Sequence, residues 1–424
     1  MTKDEIKIIL DYIDSKAAFT ENAKKMTEIY SGNILPFLIA RLRSDFKSDT
    51  SFNEAKSRLS PINIFPKIVN KLSKVYSNSV CLVKNVNRQE EIDLFLWNLQ
   101  MDSARIKINK VLNISGCCAF EPIFKDDGTS IIRVLGGHQF LVYSNDDSDS
   151  NRITHFIKFI DSGYAIYTSE EYLEIDFEGT VVSSLPNPYG RIPFVYVSRS
   201  LDLMPRPAND DFEMITLLPL LLSDANFALK YQAFSIIYTM NLNTDSCELA
   251  PNTIWNLQSS SQDKPEIGHI KPSLSIDEVI KNIATQYSLW LETKNLKNSN
   301  NQATLSAQSI SGVSKLIDEA DIDDDLQDQR MLLTRAEEDF FELCALKSGQ
   351  DWIAESYCIM QAKSKVPELE SDKIDRVVKK LSNNLILKVD AIKELSGMNE
   401  EEAQLYIKLL QAESSKEDKE IEKT

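Results

Sequence analysis

Asp321, Asp323 and Asp325, inside the acidic run Asp318-Glu319-Ala320-Asp321-Ile322-Asp323-Asp324-Asp325, have the spacing with which a calcium loop begins. Such a loop needs a glycine at its sixth position for a sharp turn and a bidentate glutamate at its twelfth. Those positions hold Leu326 and Leu332, so an EF-hand is excluded and the run is expected to be a solvated or channel-facing helix surface. The cysteines at positions 81, 117, 118, 247, 344 and 358 contain no CxxC pair and no secreted-type framework, which points to a reducing compartment. His138, His155 and His269 have no Cys or His neighbour at metal-ligand spacing, so no structural zinc is expected. Gly136-Gly137-His138 and Ser115-Gly116-Cys117-Cys118 match neither a phosphate loop nor a nucleophile elbow. They read as turns or strand ends, with Cys117 and Cys118 as small buried residues. These patterns suggest no enzyme and no cofactor.

The remaining candidate is a polar loop. Lys294 and Lys297 flank the run Lys297-Asn298-Ser299-Asn300-Asn301-Gln302, rich in turn formers. Taken alone, the lysines are an ordinary helix end complementing its dipole.

The elements around this loop are legible from periodicity. A helix is expected from Ser275, which can form a capping box with Glu278. Ile276, Val279, Ile280, Ile283, Tyr287, Trp290 and Leu291 then trace one apolar stripe that must pack against something. After the loop a long helix is expected over 304–346. Before it lies a helix over 210–233, which Pro219 should kink. Between the 210–233 helix and the one opening at Ser275 the chain turns irregular and strand-like, as in Ile236-Ile237-Tyr238 and Thr253-Ile254-Trp255. The N-terminal stretch to about Asn109 reads as helical, and residues 111–197 read as one antiparallel sheet of hairpins. The C-terminal part reads as a small helical module with a charged tail.

Composition bounds the function. With 42% hydrophobic and 26% charged residues the chain is of ordinary globular type. Its 64 acidic and 47 basic side chains leave a net charge of -17, which argues against tight gripping of nucleic acid but is compatible with a passage that repels phosphate. Residues 215–222, the most apolar stretch, fall far short of the roughly 20 needed to span a bilayer. No signal peptide is recognisable at the start, and a cytosolic, soluble chain is expected.

The most specific local feature is Asn187-Pro188-Tyr189-Gly190-Arg191-Ile192-Pro193-Phe194-Val195-Tyr196-Val197, a tight turn shaped by Pro188 and Gly190, with Pro193 leading into a short strand. Taken in order with its surroundings, it resembles the portal proteins of tailed phages. Ser60 to Val69 with Val75-Tyr76 is similar to the helix that begins that family's wing, and Asn187 to Val197 to the turn and strand that return the wing to the stem. Ile310-Ser311-Gly312-Val313-Ser314-Lys315-Leu316 resembles the Ser-Gly-x-(Ala or Ser)-Lys segment of the long wing helix. Glu400-Glu401-Glu402 with Gln411-Ala412-Glu413 echoes the crown.

The resemblance implies an α+β fold in portal architecture. It places a wing at 1–209 (strand-rich over 111–197), a first stem helix at 210–233 and a clip at 234–274. A second stem helix follows at 275–296, a tunnel loop at 297–303, a long wing helix and following segment at 304–365, a helical crown at 366–413 and a flexible tail at 414–424. It also implies a homo-oligomeric ring of about twelve copies at the capsid vertex, assembled in the host cytoplasm and carried in the virion. Double-stranded DNA would pass through it. The terminase large subunit, the major capsid protein and adaptor, head-completion or tail proteins would be its partners, with no membrane. Lys294, Lys297, Asn298, Ser299, Asn300, Asn301 and Gln302 would face the DNA channel, and Asn187, Pro188, Gly190, Pro193, Ser311 and Gly312 would be structural. A head-completion or scaffolding-type virion protein without a channel is the alternative.

Overall fold

Thr2 accepts a hydrogen bond from the Glu5 amide while the Glu5 carboxylate accepts from the Thr2 amide, a capping box that opens α1 (Lys3–Ser15). Ile6, Ile9 and Ile13 line its buried face. The computed structural model describes residues 1–146, 152–233, 236–240, 266–270, 276–296, 312–362, 370–383, 387–396 and 404–407. It mixes helices with antiparallel sheets, an α+β fold, and divides into two units, Met1–Ala362 and Lys363–Thr424.

In the first unit α1 is followed by α2 (Ala17–Tyr30), α3 (Leu35–Arg43), α4 (Asp49–Lys56) and α5 (Phe65–Leu72). Strand β1 (Ser79–Lys84) comes next, then α6 (Gln89–Asn98) and α7 (Met101–Ser115). The strand-rich part holds β2 (Cys117–Phe124), β3 (Ser130–Gly136), β4 (Phe140–Tyr143), β5 (His155–Ile160), β6 (Gly163–Tyr167), β7 (Glu171–Ile175), β8 (Val181–Pro186) and β9 (Val195–Ser198). Helix α8 (Asn209–Ala233), a ribbon of β10 (Ile236–Met240) with β11 (Glu266–Ile270), α9 (Ile276–Glu292) and the 37-residue α10 (Gly312–Ser348) follow. A 3-10 turn at Asp351–Glu355 leads into β12 (Tyr357–Ala362). The second unit contains α11 (Glu370–Ser382) and α12 (Lys388–Ser396), which pack together with Val377 and Ala391 buried.

Three expectations are corrected. The N-terminal stretch is not wholly helical, because β1 pairs antiparallel with β12, whose residues stand at the far end of this unit. The strand-rich part begins at Cys117, after α7 has run on to Ser115 and stopped at Gly116 in the left-handed region (φ +76°). It also forms two sheets, of order β3-β2-β9 and β4-β5-β6-β7-β8. The chain changes sheets at Gly136-Gly137. Strand β2 is buried on both faces, with Cys118 and Phe120 in one hydrophobic cluster and Cys117 and Ala119 in the other. The first cluster also takes in α5, α7, α8, α9 and α10. The second is closed by α1 and α2 over the five-stranded sheet.

Gly137 is where α2 meets this crossover. A Cβ there would stand 2.9 Å from Phe19 Cζ and 3.2 Å from Ser115 Cβ. Gly137→Ala is therefore expected to cost about 1–3 kcal/mol in urea unfolding without altering the secondary-structure content read by circular dichroism. A second prediction concerns pH. Burial holds the His138 and His155 imidazoles below their ordinary 6.5, so the unfolded chain binds protons that the folded one resists. Stability from this source is complete above that value and declines as pH falls through it. The melting temperature should drop between about pH 7.5 and about pH 5.5, and by less in His155→Gln.

Candidate functional site

The polar segment 297–303 follows the end of α9 in the chain, and that end is built rigidly. Asn295 adopts φ +54°, the left-handed conformation that asparagine tolerates better than most residues. The Leu296 amide donates back to the Leu291 carbonyl at 2.9 Å, and Leu296 itself is buried, as in a Schellman closure with its apolar contact. One turn earlier, α9 is tied to the first turn of α8. Asp211 accepts from Trp290 Nε1 at 3.0 Å through one oxygen and from Lys294 Nζ at 2.7 Å through the other. Within the expected stripe of α9, Ile283, Trp290 and Leu291 are buried and Val279 and Tyr287 are packed on the same core, while Ile280 stays half exposed. Leu289, off that stripe, is also more than half exposed.

Of the expected channel residues, Lys294 is thus occupied by Asp211. Lys297, Asn298, Ser299, Asn300, Asn301 and Gln302 lie outside the described residues, as does Ser311. Gly312 is the first residue of α10. Asp318, Asp321, Asp323 and Asp325 belong to the backbone of the same helix.

Polar side chains fasten the C-terminal half of α10 to the rest of the first unit. Gln329 accepts from Asn109 Nδ2 at 2.9 Å and Asn113 Nδ2 at 3.1 Å, and Arg330 Nε donates to Ser79 Oγ at 2.8 Å. Glu337 takes both arms of a buried fork, from Arg105 Nε at 2.9 Å and Nη2 at 2.6 Å. Asp102 accepts from the remaining arm at 3.1 Å. Glu342 pairs with Arg191 at 2.9 Å, and Lys347 reaches Glu121 at 2.8 Å. Between these anchors Leu326, Leu333, Phe340, Phe341 and Cys344 are buried, with the Phe340 and Phe120 rings 5.6 Å apart.

The Asn187 turn is one of the segments so fastened. Asn187 Nδ2 donates to the carbonyls of Thr168 (2.6 Å) and Arg191 (2.8 Å), and its Oδ1 accepts from the Tyr189 amide at 3.0 Å. Gly190 stands at φ +62°, which favours glycine. The closed turn aims Arg191 at α10 and delivers Phe194 onto Phe156, ring centroids 4.1 Å apart, with Pro193 between them in the chain.

Cys117 and Cys118 are buried, and burial pushes the Cys117 thiol up to about 12. Sequence reading missed a different grouping. Cys81, Cys358 and Glu337 bring their sulfur and oxygen atoms within 4.8 Å of one another. Their spacing in the chain carries no sign of it, because the β1–β12 pairing creates it.

Breaking the buried fork is expected to be severe. Glu337→Ala strands Arg105 and should cost about 3–5 kcal/mol. Removing both partners with Arg105→Met and Glu337→Leu should recover most of that loss. Denaturant midpoints of the three variants measure it.

No family model matches the chain, and no curated protein matches it. Among solved structures, it is similar to a chain in the neck of an empty gene transfer agent (GTA) particle computed with C6 symmetry. That likeness has 10% identity and a TM-score of 0.41, covering 80% of this chain and 91% of the other. It is also similar to a chain in the virion of a native GTA particle, at 10% identity and a TM-score of 0.42, covering 80% of this chain and 90% of the other. No helix among the described residues is long and apolar enough to cross a membrane.

Proposed function

We propose that the chain is the subunit of a portal ring, the channel at a capsid vertex through which double-stranded DNA is packaged and later ejected. One observation carries this reading. Helix α8, the β10–β11 ribbon, α9, the polar segment 297–303 and α10 follow one another in the order that the portal resemblance implies, and both ends of this excursion are fastened. Asp211 joins α8 to α9 at the loop's departure, and the contacts of Gln329, Arg330, Glu337, Glu342 and Lys347 hold α10 after its return.

A loop that touches a moving duplex must hand the load to the body of its ring, and this arrangement provides a route. Ile280 and Leu289, exposed on α9 in the single chain, suit coverage by the neighbouring copy. In this reading the ribbon and the segment around it, 234–274, dock the terminase large subunit and later the adaptor or tail proteins, and the wing meets the major capsid protein. The chain performs no hydrolysis itself, since the motor supplies it. Asparagines and Lys297 meet phosphates weakly within an acidic lumen, which suits translocation because a tight contact would have to be broken at every step.

Negative-stain images of the purified full chain test the reading. Rings with a central hole are expected, and a monomer under every assembly condition would sink it in favour of a channel-free head-completion or scaffolding protein. Deleting Asn298 to Asn301 should leave rings intact and impair DNA packaging or retention. Loss of the rings in that variant would show that the loop is misplaced in this scheme.

A further inference from the structure

Strands β1 and β12 pair with Cys81 opposite Met360 and Val83 opposite Cys358. Residues two apart on a strand share a face, so Cys81 and Cys358 are diagonal neighbours on the same side of the ribbon. Their Sγ atoms lie 3.5 Å apart although the residues are separated by 277 positions. A disulfide needs about 2.05 Å, so closing the bond requires rotation about χ1 together with a local approach of the two strands. We propose that Cys81 and Cys358 form a reversible thiol–disulfide pair, a redox-modification site that takes a low-molecular-mass disulfide as its oxidant and covalently joins β1 to β12.

Access and chemistry favour the same order of events. Cys81 is only partly buried and lines an open cleft of about 850 Å³ with Lys84, Asp93, Trp97 and Asp102, a size that admits a small disulfide. Cys358 lies behind it, buried. The hydrogen bond shared with Cys358 holds the Cys81 thiol below the ordinary thiol range, whereas Cys358 is pushed up by that same contact and by burial. Cys81 is therefore the attacking group. It displaces one half of the small disulfide, forming a mixed disulfide and releasing one small thiol. Cys358 then attacks the Cys81 sulfur, breaking the mixed disulfide and releasing the second. The two protein thiols lose two protons and two electrons, and the small disulfide gains them as it becomes two thiols.

The other described cysteines offer no such pair. Cys117 and Cys118 are adjacent on β2 and point into opposite cores, and burial raises the thiols of both and of Cys344. Glu337 completes a possible metal-ligand trio with the pair, but the Arg105 fork takes both of its oxygens and would set a positive charge beside any cation. The inference is independent of the portal reading.

The reduced full chain, incubated with oxidised glutathione, digested without reduction and examined by mass spectrometry, tests it. A peptide joining Cys81 to Cys358 is expected, with a melting temperature raised by about 5 °C and restored by dithiothreitol. Cys358→Ser should trap glutathione on Cys81, and Cys81→Ser should leave Cys358 unmodified. Glutathione lodged on Cys81 of the unaltered chain without the cross-link would overturn the proposal. So would equal reactivity of Cys117, Cys118 and Cys344. The peptide map of the unaltered chain decides the matter even if a variant fails to fold.

Discussion

The first unit is organised around a buried charge pair. Arg105 on α7 and Glu337 on α10 are both nearly inaccessible to water, and removing two such charges from solvent is costly before any attraction is counted. The cost is offset because the fork meets the carboxylate through two parallel hydrogen bonds and because Asp102 takes the remaining guanidinium arm. The Tyr76 ring lies 5.8 Å from the guanidinium, on the chain between α5 and β1. This arrangement accepts only one rotation and one height of α10. A helix held by apolar contacts alone could slide or roll by a fraction of a turn, whereas this one must present Glu337 to Arg105.

Once α10 is registered there, its other polar contacts follow from helical geometry. With 1.5 Å of rise per residue, the step from Gln329 to Lys347 covers about 27 Å. Over that distance the helix meets α7 at Asn109 and Asn113, β1 at Ser79, the Asn187 turn at Arg191 and β2 at Glu121. Of the two ion pairs among them, Arg191–Glu342 is partly exposed and contributes little alone, whereas Lys347–Glu121 is nearly buried. Their effect is positional. They bind segments that the chain visits between residues 79 and 191 to one rod, which explains how a helix returning from the polar loop can be continuous with the body.

Local chemistry made α8, α9, α10 and the Asn187 turn legible. Ile283, Trp290 and Leu291 repeat at helical spacing because that face is buried, and Asn187 with Gly190 reads as a turn because both meet conformational demands that few residues satisfy. The features that were not legible depend on partners far away in the chain. Ser79 to Lys84 becomes a strand only because Tyr357 to Ala362 pairs with it, and six residues flanked by helices do not declare a partner at such a distance. The division of the strand-rich part into two sheets follows from Gly136-Gly137 passing close against Phe19 on α2, a tertiary contact with no periodic signal. Arg105 and Glu337 look like surface charges on two helices until those helices are docked. The Cys81–Cys358 pair inherits the same long-range pairing, so cysteine spacing could not reveal it.

The pairing of Lys294 changes the electrostatics of the proposed channel. Lys294 is paired with Asp211 at the end of α9, and the chain as a whole carries a charge of -17. Each phosphate neutralised by a lysine or arginine releases about 0.9 of a counterion and makes binding correspondingly salt-dependent. A loop that offers amides, one hydroxyl and Lys297 can neutralise at most one phosphate per copy. The amides and hydroxyl add hydrogen bonds that water can replace at little cost. Such a surface holds a duplex loosely at any position along its length, which is the electrostatic condition for sliding. A ring lined with unpaired lysines would instead bind the duplex more tightly and with steeper salt dependence, and the Asp211–Lys294 tie removes one of the two lysines that could have done so.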